Sequence, residues 1–233
     1  MKIEHKEFSF EETLKYLDEL AQKLTDGEAI PEIHNLKVEE LPAHKVVMAY
    51  CSTMYIRVIR PLHDDGKEKE YAYHGAVSQI LKLLESSETL RHLDLQADGS
   101  IMALFDTPMK KNVEELIIMA AQVRSINDVV LTKFRMDLDR QRCAVGLDYG
   151  AVSYFTTGNA SIDPICVSAT MKWAKQLAEQ REDSVIISND IFINLSEDMQ
   201  KNLFVNSDMM KDLKYHYAPL INIRMDKWVK ENR

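Results

Sequence analysis

The sequence predicts an α/β fold in which helices pack on a mixed β-sheet. Stretches with apolar residues at helical spacing alternate with short, partly β-branched apolar runs. A hairpin interrupts that alternation at residues 92–108, and no repeat or low-complexity tract is present. The chain of 233 residues, 45% of them hydrophobic, is large enough for one sizeable domain with an extension. Residues 1–40 read as an N-terminal helix and linker, and residues 41–233 as the domain.

Leu14, Leu17, Leu20, Ala21 and Leu24 recur at helical spacing over residues 9–25, with Ser9 and Glu12 placed as a capping box and Asp26-Gly27 ending the helix. After a polar stretch with Pro31 and Pro42, residues 45–51 (KVVMAYC) read as a central strand. A loop containing His63-Asp64-Asp65-Gly66 leads to a helix over 68–85, with Tyr73, Val77, Ile80, Leu81 and Leu84 on one face. The hairpin follows, its turn at Asp98-Gly99. A second long helix is predicted over 112–135, then a strand over 142–155 interrupted by Gly146 and Gly150. Further elements are a helix over about 165–179, a strand over 184–188, a short helix at about 190–195, and a last strand over 215–228.

Charge and cysteine content exclude several classes of function. A net charge of −8 argues against a dedicated nucleic-acid binder, and the short lysine clusters at 67–69 and 110–111 read as solvated surface. Three widely spaced cysteines, Cys51, Cys143 and Cys166, suit small buried hydrophobes in a reducing cytoplasm rather than a disulfide framework or a thiolate zinc site. The N-terminus lacks an apolar leader core, and no run is long enough for a membrane span. The expectation is a soluble cytoplasmic protein. No Walker loop, Gly-x-Ser-x-Gly or His-Glu-x-x-His string occurs.

Several strings carry more information together than singly. "MAYCST" (48–53), "ADGSIMALFDTP" (97–108), "VGLDYG" (145–150), "MKWAKQL" (171–177) and "LINIRMDKW" (220–228) occur in this order. They resemble the class III nucleotide cyclases along nearly the whole chain, and most of all the stand-alone bacterial cyclases of the Pycsar antiphage systems, which make cyclic CMP or cyclic UMP. The resemblance implies a class III cyclase-like mixed sheet and a head-to-tail homodimer. In that family, two aspartates hold two magnesium ions, and an Asn and an Arg on a later helix act on ribose and α-phosphate.

Residue by residue, the resemblance is incomplete. Aligning Ser52-Thr53 with the family's Ser-Thr puts Met48 at the first metal aspartate, and a thioether does not hold magnesium. Tyr50 falls where the family carries the residue that reads the pyrimidine; packing beneath the sheet is the alternative. Counting back from Phe105-Asp106-Thr107-Pro108 puts Asp98 and Gly99 in inverted order relative to the family's Gly-Asp. Asp98 then reads as a turn former and at most a weak metal ligand. Lys172 and Gln176 occupy the Asn and Arg positions; Lys172 can meet a phosphate as a point charge, while Gln176 supplies no charge.

These departures imply a catalytically degenerate cyclase-like protein without a metal cofactor, binding a pyrimidine nucleotide, a cyclic nucleotide, or a neighbouring cyclase or effector protein in an antiphage system. The alternative is an active pyrimidine cyclase whose magnesium site uses Asp98 with Asp64, Asp65 or Asp94. A purely structural or regulatory module with an apolar dimer face is the third reading.

Overall fold

The computed structural model describes residues 10–26, 29–33, 41, 46–58, 67–135, 143–156 and 164–233. The expectations for Ser9, Gly27, Lys45, the His63–Gly66 cluster and Arg142 lie outside those residues, as does the Leu24 side chain. The chain divides into Met1–Pro31 and Glu32–Arg233. The boundary precedes residue 40 because Glu32 bridges to Met48, and the Ile33 N–H donates to the Met48 carbonyl at 2.8 Å.

The first unit carries α1 (Phe10–Thr25). Its predicted apolar stripe is solvent-facing, with Leu14, Leu17 and Leu20 all exposed. In the second unit, β1 (Val46–Arg57) is a central strand. It pairs along its whole length with β4 (Ala144–Phe155) and, over Ser52–Ile56, with β3 (Ile101–Phe105). With β2 (Leu90–Leu95), β6 (Val185–Ser188), β7 (Asn206–Met210) and β8 (Leu213–Ala218), the order is β2-β3-β1-β4-β6-β8-β7. β4 and β6 pair in parallel; the other pairings are antiparallel. The mixed sheet predicted from the sequence is therefore present.

Alternation along β1 sends successive side chains to opposite faces. Met54 and Ile56 join the larger core with α2 (Lys67–Glu85) and α3 (Lys110–Lys133), where Ile80, Leu84, Leu116 and Ala120 are buried. Tyr55 faces the other way and packs with Ala174 and Ala178 of α4 (Ala169–Ala178). The close approach of α4 to β4 requires Gly146: a Cβ there would lie 2.0 Å from the Ala174 carbonyl oxygen and 2.7 Å from the Ala178 nitrogen. A hydroxyl pair, Thr53 Oγ1 and Thr170 Oγ1 at 2.8 Å, ties β1 to the same helix.

Two predicted elements differ, and two further elements were not predicted. Residues 165–167 do not begin a helix; they form β5 (Ile165–Val167) on the end of β4, and α4 starts at Ala169 with Ser168 Oγ accepting from the Thr170 N–H. The predicted strand over 215–228 stops at Ala218 in β8. Residues 223–232 instead form α7 (Ile223–Asn232), with Asn222 Oδ1 accepting from the Met225 N–H. Ile221, Ile223 and Met225 alternate as in a strand, but the chain has already left the sheet. It crosses to α3, where Arg124 Nη1 donates to the Leu220 carbonyl and the Asn222 N–H donates to Ser125 Oγ. Between α5 (Asn189–Ile193) and β8, α6 (Glu197–Asn202) and β7 were not predicted; both are short and largely exposed, so periodicity has little to act on.

Candidate functional site

Helix α4 has three faces that bear on function. Buried Ala174 and Leu177 dock it on the sheet. Lys172 is exposed and Gln176, one turn on, is half-buried. Lys175 and Trp173, two residues apart, project about 200° from each other and so lie on opposite flanks.

The Lys175 flank meets the β2–β3 hairpin. At its tip Gly99 has φ 82°, the left-handed backbone that glycine adopts without strain. Asp98 Oδ1 accepts from the Ser100 N–H at 3.0 Å and from the Ser100 hydroxyl, which closes the turn. Tyr73 of α2 donates its hydroxyl to the Gly99 carbonyl at 2.9 Å. Lys175 Nζ lies 3.9 Å from Asp98 Oδ2 and 5.7 Å from the Tyr55 ring centroid. The Ser100 hydrogen bonds, helped by Lys175, hold the Asp98 carboxyl below its ordinary range.

Met48 is not near this tip. It lies eight residues before Ile56, which pairs with Ile101 beside the turn. At strand rise that is roughly 27 Å of backbone. The structure therefore does not bring Met48 together with Asp98 or Gly99. The β1 residues nearest the turn are Tyr55, Ile56 and Arg57, none a carboxylate. Magnesium prefers several hard oxygen ligands, and one exposed carboxylate engaged by Ser100 and Lys175 does not provide that set. Among the described residues no group of three His, Cys, Asp or Glu side chains is placed to hold a metal ion.

Tyr50 is 46% exposed, its ring 6.2 Å from Tyr149, so it is not packed beneath the sheet within this chain. Gln176 Oε1 is buried without a hydrogen-bond partner. Burial pushes the Cys51 thiol up to about 11 and Cys143 and Cys166 up to about 12, so all three stay protonated at neutral pH. The Phe-Asp-Thr-Pro string is a brace: Asp106 pairs with Arg91 at 3.4 Å, and Thr107 Oγ1 meets Ser52 Oγ at 2.7 Å.

On the opposite flank, Trp173 and Leu177 border a cleft of about 460 Å³ that the sequence reading missed. It lies where β6 ends at Ser188 and the chain turns away into α5, next to Asp148 of β4. Asp148 is only 6% exposed. Desolvation pushes its carboxyl above the ordinary range, a hydrogen bond from the Ser188 hydroxyl opposes the shift, and the neighbouring Asp190 charge adds to it. The available signal was an acid inside the glycine-flanked apolar strand "VGLDYG".

No family model matches the sequence, and no curated protein matches it either. Solved structures do match. The guanylyl cyclase Cya2 aligns at a TM-score of 0.60 and 8% identity, over 76% of this chain and 94% of that one. The dimeric guanylyl cyclase domain of the RhoGC fusion protein from the aquatic fungus Blastocladiella emersonii aligns at 0.53 and 10% identity, over 76% and 98%. A class III adenylyl cyclase-like ATP-binding protein from Pseudomonas aeruginosa aligns at 0.53 and 16% identity, over 97% of this chain and 48% of that one. The chain has the class III nucleotide cyclase fold. Among the described residues, no helix is long and apolar enough to cross a membrane.

Proposed function

We propose that the chain is a cyclase-fold protein that binds a nucleotide without cyclising it, and that it acts as a homodimer. One observation carries the reading: the end of β1 beside the hairpin offers Tyr55, Ile56 and Arg57, so Asp98 has no carboxylate partner on that strand. Cyclisation in this fold depends on two metal ions to ionise the ribose 3′-hydroxyl and clamp the triphosphate, and β1 (VVMAYCSTMYIR) carries no carboxylate to join Asp98 in holding them. Lys172 remains available to a phosphate, while Gln176 brings no positive charge to offset what develops at the α-phosphate. A fold neighbour that is itself cyclase-like and ATP-binding supports binding without turnover, and a dimeric neighbour supports the homodimer.

The sequence resemblance favours a pyrimidine nucleotide and a defence setting, with a neighbouring cyclase or effector as partner. The test is a panel of CTP, UTP, ATP, GTP and the cyclic pyrimidine monophosphates, with magnesium or manganese. Ligand at about a hundred times Kd stabilises by about 2.7 kcal/mol, which is a melting shift of about 5–10 °C for a domain of this size. The expected result is such a shift with CTP or UTP and no cyclic product. Cyclic CMP or cyclic UMP formed by the native protein and lost in Asp98→Ala would replace this reading with an active cyclase whose second ligand is Asp64, Asp65 or Asp94. No shift with any nucleotide would leave the protein-partner role.

A further inference from the structure

We propose that the cleft between α4 and the β7–β8 hairpin is a binding site for a small organic cation, an ammonium or guanidinium compound, held against the Trp173 ring with Asp148 at its floor. Charge is the first argument. Asp148, Asp190 and Asp212 line the cleft against Lys214, with Lys211 at its aromatic wall, so the cleft is acidic on balance and favours cations over phosphates.

The aromatic wall is the second. The Trp173 ring already receives a positive charge, because Lys211 Nζ stands 5.9 Å from its centroid. Ring faces attract cations through their quadrupole, and the indole is the best of the natural side chains for this. Lys211 reaches that place from the β7–β8 turn with φ 56°, a left-handed conformation costly for a residue with a Cβ. A lysine held there under strain is a tethered stand-in that a free cation displaces. Tyr215, buried beside the cleft, adds a second aromatic surface.

The third argument separates an organic cation from a metal ion. Among the described residues the carboxylates form no group of three placed to hold a metal ion. A volume of about 460 Å³ suits a small molecule rather than a bare ion. Asp148, desolvated at the floor, gains most from a cation that replaces the water it lost.

Agmatine, which carries both head groups, is the probe, and tryptophan emission is the readout. The chain has two tryptophans, so Trp228→Phe leaves Trp173 as the sole reporter. In that background, agmatine at constant ionic strength is expected to change the emission saturably. Asp148→Asn is expected to weaken binding about tenfold or more, the loss typical of a hydrogen bond to a charged group. Lys211→Gly is expected to tighten it, because the competing lysine and its strained turn are both removed. Asp148→Asn is isosteric, and an unchanged or raised melting midpoint shows that it folds.

Three results overturn the proposal: no saturation into the millimolar range, equal affinity in Asp148→Asn, or the same saturable change with magnesium chloride alone. The site is independent of the nucleotide reading. CTP binding concerns the Lys172 side of α4, so CTP shifting the midpoint without displacing agmatine keeps the two outcomes apart.

Discussion

Asp98 and Asp148 stand on opposite flanks of one helix, and their surroundings drive them in opposite directions. The Asp98 side chain is 58% exposed at a hairpin tip, held ionised by the Ser100 hydrogen bonds with Lys175 nearby. Asp148 is 6% exposed in a central strand and held toward its neutral form by desolvation. Both sit in strings that carry the resemblance, but only Asp98 falls where that resemblance places a metal ligand. Asp148 is the one whose charged form burial opposes, as is common for groups in functional clefts. Position in a motif and chemical character are separate properties, and the structure supplies the second.

The strongest way to break the comparison is to move the helix between them. Gly146→Ala places a methyl group 2.0 Å from the Ala174 carbonyl oxygen, a backbone atom that cannot swing aside. Overpacking of this kind costs about 3 kcal/mol. The melting midpoint should fall by about 6–12 °C, and Trp173 emission should change with it. A midpoint equal to the native one would show that α4 does not rest on β4 in this way.

Asp148→Asn should act in the opposite direction. The folded-state pKa of Asp148 is raised above its ordinary 3.8, so the folded chain holds that proton more tightly than the unfolded chain. Its contribution is most favourable below pH 3.8 and is lost as pH rises through the folded value. The variant should therefore melt higher than the native protein at pH 7, with the gain shrinking toward pH 4. A gain independent of pH would mean that the carboxyl is not desolvated.

Asp98→Ala should be smaller and of opposite pH sign. The folded pKa of Asp98 is depressed, so its stabilisation is present above 3.8 and lost as pH falls through the lowered value. Loss of the Ser100 bonds costs about 1 kcal/mol at most, reduced by the exposure of the site. Thermal melts should show the deficit at pH 7 and its decline as pH falls below 3.8.

The regular elements were legible because their periodicity is strong. The alternation of β1 and the heptad-like spacing of Val77, Ile80 and Leu84 in α2 both lead to buried faces. The α7 segment misled because Ile221, Ile223 and Met225 alternate while Asn222 caps a helix, a side-chain effect that a hydropathy pattern does not contain. Strand register was the larger loss. Matching Ser52-Thr53 to the family's pattern fixes residue order, but β1 spans 12 residues, and only its pairing shows which end meets the hairpin. On that pairing, Tyr55 lies at the hairpin end of β1 and Met48 at the other. The Asp148 cleft lay beyond sequence reasoning for a related reason: β4, β6, α4 and β8 are brought together by pairing and packing across long stretches of chain.

Lys175→Ala should have the smallest effect and gives the sharpest test of the hairpin flank. Its ion pair with Asp98 spans 3.9 Å between side chains 47% and 58% exposed, a geometry that contributes about 0–1 kcal/mol. The melting midpoint should therefore move by no more than about 2–4 °C. The informative quantity is the Asp98 carboxyl itself. Removing Lys175 should raise its pKa only slightly, because the Ser100 hydrogen bonds dominate the depression. Carbon-detected NMR titration of the side chain measures this directly. Magnesium titrated into the same variant should still show no micromolar site: freeing Asp98 from its lysine adds no second carboxylate to β1. Tight magnesium binding in Lys175→Ala would mean that a second ligand stands near the turn and that the lysine had been occupying the metal's place.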